Sequence, residues 1–269
     1  MRGWWREIAG LVLPVACGGC GRPRIELCPS CEAALTGAGE GPRRVRPSPE
    51  PAGLPVVHAV APYAGAVREL LIAHKERGAL TLARPLGGAL AAAVEAAAGG
   101  VEGPGARPLL LVPVPSSRRS VRARGHDPTR RIALAAAARL RGSGRPARVV
   151  PVLRQRRYVE DQAGLGARGR LANLSGALEV VPGGGRLLRA GKVVLVDDLM
   201  TTGASLAEAA RVLGGVHVPF IPGIPHGLPG GSAQRGFEQR EAAVIASSPA
   251  SFELNRNSPG TWIVAGGER

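Results

Sequence analysis

The sequence predicts an α/β fold: a twisted, mostly parallel sheet flanked by helices, with a small cysteine-rich module ahead of it. Three observations carry this expectation. Short runs that are apolar at almost every position, at 109–114 and 192–196, suit strands buried on both faces of a parallel sheet. Stretches with helical spacing of apolar residues alternate with them. All four cysteines fall between positions 17 and 31, and none follows. A chain of 269 residues has room for one substantial domain and an appendage.

Taken in order, the cysteine module is expected over 1–35 and a Gly/Pro-rich linker over 36–54, which also carries Arg43, Arg44 and Arg46. The α/β domain is expected over 55–221. Residues 56–63 read as a short strand. Val67, Leu70 and Leu71 give 66–74 helical spacing, and the Ala-rich run 80–98 reads as a second helix stopped by Gly99-Gly100. The apolar strand 109–114 comes next. A helix over 129–141 is introduced by Asp127-Pro128, a capping residue followed by a first-turn proline. Residues 148–153 read as another short strand, 192–196 as a buried one, and 204–213 as the helix after it. Residues 216–221 suggest a strand broken by Pro219. Pro222, Pro225 and Pro229 then open a mixed tail over 222–269, which is expected to be disordered.

Aromatic residues are only 3% of the chain, so the core must be built from Ala, Val and Leu. The net charge is +15, and of the basic residues only Lys75 and Lys192 are not arginine. Between Arg107 and Arg170 sixteen arginines stand against Asp127, Glu160 and Asp161 alone. So concentrated an excess points to an anionic partner, because the guanidinium fork matches phosphate geometry. No apolar run is long enough to span a membrane. The N-terminal stretch up to Cys17 loosely mimics a lipoprotein signal, but its apolar run from Ile8 to Ala16 is short, Glu7 borders it and Pro14 stands where such signals want Leu, so a cytoplasmic location is expected.

Cys17-x2-Cys20 and Cys28-x2-Cys31 offer four thiolates, the full tetrahedral demand of a structural Zn²⁺. Such a site has no open position, so it holds structure and does no catalysis. The competing reading, two disulfides in a secreted protein, fits a long cysteine-free chain poorly.

The most specific segment runs from Val193 to Ser205. Four apolar residues lead to Asp197 and Asp198, and Thr201-Thr202-Gly203-Ala204-Ser205 then turn into a helix. Adjacent carboxylates at a strand end suit the two hydroxyls of a ribose. The N–H groups and hydroxyls of residues 201–205 suit a phosphate, with the helix N-terminus behind them and no Cβ on Gly203 to obstruct approach. Ordinary helix capping would account for single residues of this run but not for all of them together.

These residues resemble the phosphoribosyl-pyrophosphate signature of type I phosphoribosyltransferases. The wider order resembles the ComF family, whose members carry an N-terminal zinc ribbon and are linked to DNA uptake in competence. The matching pieces are the four cysteines, Tyr63-Ala64-Gly65, Arg68-Glu69-Leu70, Lys75-x-Arg77-Gly78, Val112-Pro113-Val114-Pro115, Arg122-x-Arg124-Gly125, Asp161-Gln162-Ala163-Gly164-Leu165 and Asn173-Leu174-x-Gly176-Ala177. The match spans about 10–213 and departs at His126-Asp127-Pro128, where the family has an aromatic residue followed by Asn-Gln.

The resemblance implies a type I phosphoribosyltransferase fold with a zinc-ribbon module. It implies binding of phosphoribosyl pyrophosphate, or a nucleotide, together with Mg²⁺. In that reading Asp197 and Asp198 hold the sugar and take the catalytic role, while Thr201, Thr202, Gly203, Ala204 and Ser205 anchor the 5′-phosphate. Lys75, Arg118, Arg119, Arg122 and Arg124 are the candidate cations for pyrophosphate, and the nitrogenous acceptor is unread. Two other readings stay open: a non-catalytic protein handling single-stranded DNA with DNA-uptake partners, and a ligand sensor without turnover. Against the DNA reading, Tyr158 is the lone aromatic residue in the arginine-rich stretch, whereas single-strand binders interleave aromatics for stacking. The sequence allows a homodimer.

Overall fold

The computed structural model describes residues 15–99, 107–157, 173–215 and 241–253. The expectations for 1–14, for Asp161 to Leu165, for 216–221 and for the remainder of the tail lie outside the described residues. Within them the chain is a mixed α/β structure whose mostly parallel sheet is flanked by helices.

The N-terminal module ends in helix α1 (Pro29–Leu35), which Pro29 opens at its first turn. The segment read as a linker contributes an edge strand, β1 (Arg43–Val45), antiparallel to β2 (Val56–Pro62). Helix α2 (Gly65–Glu76) follows, and then α3 (Ala83–Ala97), preceded by a separate 3₁₀ turn at Leu80–Leu82. The single helix expected over 80–98 is therefore divided, with Pro85 in the first turn of α3, where its missing N–H costs no helical bond.

Strand β3 (Leu109–Pro113) leads to α4 (Arg118–Arg124) and α5 (Pro128–Gly142). Asp127 caps α5 by accepting the Arg130 N–H at 3.1 Å. The strand expected over 148–153 is two strands: β4 (Ala147–Val149) joins the main sheet and β5 (Leu153–Gln155) pairs antiparallel with β6 (Leu178–Val180). Pro151, which has no N–H to donate, stands at the break. After the short helix α6 (Gly184–Leu188) come β7 (Lys192–Met200), α7 (Ala204–Gly214), β8 (Glu241–Ser247) and α8 (Pro249–Glu253).

The main sheet has the order β1-β2-β8-β7-β3-β4, and every pair beyond β1–β2 is parallel. This overturns the expectation of a disordered tail for part of its length. Strand β8 lies at the centre of the sheet, hydrogen-bonded to β2 on one side and β7 on the other. Its Ala242, Ala243, Val244, Ile245 and Ala246 are all fully buried. The strand escaped notice because alanine is a poor strand former and the run is short and set among prolines and glycines. A central position supplies what propensity does not: hydrogen bonds on both edges and burial on both faces.

The two sheet faces carry separate layers. On one, Val60, Leu111, Val194, Val196 and Ile245 pack under Leu70, Leu86, Leu90, Ile132 and Leu140 from α2, α3 and α5. On the other, Leu110, Val112, Leu195 and Val244 meet Leu206 and Leu213 of α7 and Leu153 of β5. Each buried leucine contributes about 1.5–3 kcal/mol. The alanine-rich helices approach closely: a Cβ on Gly87 of α3 would overlap Ala135 and come within 2.8 Å of the Ala136 nitrogen of α5. The N-terminal module docks in the same manner, since a Cβ on Gly18 would lie 2.8 Å from Leu82, and one on Gly19 3.3 Å from Ala66 of α2. No described helix is long and apolar enough to cross a membrane.

If β8 is the centre of the sheet, Ile245→Ala costs about 2–5 kcal/mol of unfolding free energy by denaturant titration. A loss below about 0.5 kcal/mol, the size of a surface substitution, would show that this segment is dispensable.

Candidate functional site

Strands β2, β8, β7 and β3 are parallel, so their carboxyl ends, at Pro62, Ser247, Met200 and Pro113, gather along one edge of the sheet. From β3 the chain turns outward through α5 to β4; from β7 it turns the other way through α7 to β8. Helix α5 covers one face and α7 the opposite one. The two exits diverge between β3 and β7, which is the switch point where open α/β sheets form a ligand crevice. Asp197 and Asp198 lie there. Pairing of β7 with β3 stops at Val196↔Pro113, but pairing with β8 continues to Met200↔Ser247. The two acids are therefore inside the strand and not beyond it, which corrects the expected end at 196. The apolar run stops at Asp197, but the backbone ladder does not.

Asp198 is 5% exposed. Its Oδ2 accepts from Lys75 Nζ at 2.8 Å, and its own N–H donates to Asp197 Oδ1 at 2.8 Å. Thr129, in the first turn of α5, donates its hydroxyl to the same Asp197 oxygen at 3.5 Å. Asp198 is thus withdrawn from water with the Lys75 ammonium against it, and the half-buried Asp197 lies beside it. Burial, and next the Asp198 charge, push the Asp197 carboxyl well above the usual carboxylate range. Burial also pushes on Asp198, but the Lys75 charge and hydrogen bond outweigh it and hold that carboxyl below its ordinary value. Asp198 in turn raises Lys75. The two carboxyls are therefore unequal: a proton is held more readily on Asp197 than on Asp198.

The 201–205 turn follows directly. Thr201 is exposed, Thr202 and Ser205 are half-buried, and Gly203 and Ala204 are buried. Gly203 has φ +75°, the left-handed conformation that favours glycine, and caps α7; Thr202 Oγ1 accepts the Ala204 N–H at 3.5 Å. A Cβ on Gly203 would lie 2.8 Å from Leu54, which corrects the expectation that the missing Cβ leaves room for a phosphate: the segment before β2 takes that side of the turn. The N–H groups of the first turn of α7 have no acceptor within the helix and carry its positive end.

Arg118, Arg119, Arg122 and Arg124 lie on α4, capped by Ser117, whose Oγ accepts the Ser120 N–H at 3.0 Å. Arg124 forms a fork on Glu76 of α2, with Nε at 2.9 Å and a terminal nitrogen at 2.6 Å. Arg119 and Arg122 are exposed, and no described carboxylate pairs with either. The structure therefore brings Lys75, Asp197 and Asp198 together, joins Arg124 to α2, and keeps Lys75 on Asp198 where a pyrophosphate contact was expected. Thr129 and Glu76 were missed. Thr129 reads as an ordinary capping-region residue, and nothing local links it to a strand 68 positions away.

The cysteines form a second site. All four Sγ atoms lie within 4.8 Å of one another. Thiolate bonds of about 2.3 Å in a tetrahedron require sulfurs about 3.8 Å apart, and Cys20 Sγ is 3.6 Å from Cys28 Sγ. The Cys28 N–H donates to Cys17 Sγ at 3.4 Å, and a Cβ on Gly19 would lie 2.8 Å from Cys31 Sγ. Burial opposes ionisation of Cys17, but backbone N–H groups of Cys28, Cys20 and Gly19 bring its thiol down to about 6; burial and its thiol neighbours push Cys31 up.

The dyad gives a pH signature of known sign. A carboxyl raised in the fold contributes stability below its unfolded value of about 3.8, and that contribution is lost as pH rises through the folded value. Asp197→Asn keeps the neutral form, so above the folded value it melts at the same temperature as the unmodified chain or higher. Asp198 is depressed, so its contribution is present above the unfolded value and is lost on acidification; Asp198→Asn lowers the melting temperature at neutral pH. Thermal melts across the acid-to-neutral range test this, and equal losses for both variants at neutral pH would contradict it. No known protein family and no curated protein matches this chain.

Proposed function

We propose that this chain binds the phosphorylated ribose of phosphoribosyl pyrophosphate, or of a nucleotide, on a type I phosphoribosyltransferase fold with a zinc-ribbon module. The observation that carries the reading is the adjacency of two neighbouring carboxyls of β7, one buried and one half-buried, to the N-terminus of α7, at the switch point of the sheet. Perturbed acids at such a switch point support a working site. The ribose diol sits on Asp197 and Asp198, and the 5′-phosphate on the amides and hydroxyls of residues 201–205.

If the site turns over, pyrophosphate leaves C1 of the ribose and a nitrogen nucleophile attacks it. The sugar then carries oxocarbenium character, which the Asp198 carboxylate offsets from the diol side. Arg119 and Arg122, free of carboxylate partners among the described residues, suit the departing pyrophosphate. Mg²⁺ accompanies pyrophosphate and supplies further positive charge to the leaving group. Among the described residues the four cysteines are the one group of three or more metal-ligating side chains. Cys17, Cys20, Cys28 and Cys31 hold Zn²⁺ in a closed site that fixes the module against α2.

Calorimetric titration with phosphoribosyl pyrophosphate and Mg²⁺ tests the ribose-phosphate reading. The unmodified chain is expected to bind, and Asp198→Asn to weaken binding by about tenfold or more, as for loss of a charge-assisted hydrogen bond. Binding of single-stranded DNA with a steep salt dependence, indifferent to Asp198→Asn, would favour the nucleic-acid reading instead. Elemental analysis of the purified chain is expected to find one zinc per chain, lost together with thermal stability in Cys31→Ser. Four freely titrating thiols without metal would contradict the zinc assignment.

A further inference from the structure

We propose that Lys75 is the resident counter-ion of the diol subsite, so that this chain takes up a ribose 5-phosphate without needing a divalent cation. The inference rests on the ribose-phosphate reading and goes beyond it by assigning the charge that site supplies for itself. The argument is one of position. Lys75 and Asp198 are 123 residues apart in sequence, yet Nζ meets Oδ2 at 2.8 Å. Among the described residues no other cation pairs with either acid. Asp198 is nearly fully buried, whereas the Lys75 side chain keeps 35% of its exposure. The ammonium therefore reaches solvent beside the buried carboxylate, and among the described residues Asp198 is its one hydrogen-bond partner.

The position of Lys75 is fixed by packing. It lies in the last turn of α2, whose Val67, Leu70, Leu71 and Ala73 are buried. The next residue, Glu76, is held by the Arg124 fork. At the other end α2 is braced by the cysteine module, where Gly19 approaches Ala66. A divalent cation prefers several hard oxygen donors whose negative charge is uncompensated. Here one carboxylate of two is already neutralised by the lysine, and the other carboxyl shares its oxygen with the Asp198 N–H and Thr129. What remains suits two hydroxyl groups better than an aquated metal ion.

Titration calorimetry with ribose 5-phosphate, which lacks the pyrophosphate that itself draws Mg²⁺, separates the outcomes. The buffer is freed of divalent cations on a chelating resin before the protein is added, so that the cysteine site keeps its metal, and the titration is repeated with Mg²⁺. The unmodified chain is expected to bind with affinities that agree within about threefold in the two buffers. Lys75→Met, which leaves Asp198 without a cation, is expected to bind about tenfold or more weakly in the metal-free buffer and to recover with Mg²⁺. Lys75→Arg is expected to remain independent of the metal. Binding by the unmodified chain only when Mg²⁺ is present overturns the inference and leaves the ribose-phosphate reading standing. So does a folded Lys75→Met variant that binds equally well in both buffers. Absence of binding by the unmodified chain in either buffer defeats the underlying reading itself. If Lys75→Met does not fold, the unmodified chain and Lys75→Arg in the two buffers still decide.

Discussion

The ion pair between Lys75 and Asp198 joins helix α2 to the central sheet at the candidate site. On one side is α2, braced at its start by the cysteine module and at its end by Arg124. On the other is the carboxyl end of β7, already tied into the sheet by β8. A partly buried pair of this kind is a poor source of stability, because desolvation offsets most of the attraction, and an apolar pair of the same volume would serve as well or better. A second carboxyl beside it, held largely out of water, adds further cost. The leucine and alanine packing beneath it offsets that cost, and under the proposed function the arrangement serves ligand binding.

That packing explains how the site is assembled. With so few aromatic residues, the layers are thin and close, and α3 and α5 touch where Gly87 meets Ala135 and Ala136. The narrow alanine strand β8 fits between β2 and β7 under the alanine-rich helix α3. Its central position puts the ends of β2, β7 and β8 side by side. Residues that are remote in sequence (Lys75, Thr129 and Asp198) then converge at one edge without any of them departing from regular structure.

How much of this was legible in the sequence follows from which signals are local. The apolar runs at 109–114 and 192–196, the helical spacing around Leu70 and Leu71, the Asp127 cap and the paired cysteine knuckles are local, and each corresponds to a described element. The Thr201–Ser205 turn was local too. The alanine strand β8 was not legible, because burial on both faces, and not propensity, makes it a strand. The division of 148–153 depended on one proline, and the extension of β7 through two aspartates depended on a partner strand that had been read as tail. At the site, the adjacent acids were plain, but their inequality was not. It arises from Lys75 and Thr129, which only the tertiary structure brings into reach.

In the ribose-phosphate reading, the amides at the start of α7 and the two carboxyls of β7 receive one sugar phosphate together. A crystal structure of the chain with a bound nucleoside 5′-monophosphate tests it most directly. The account predicts the phosphate oxygens on the backbone N–H groups of the turn after Thr201, and the ribose hydroxyls on Asp197 and Asp198. A nucleotide bound elsewhere, with Leu54 and its neighbours closed over the turn, would contradict it.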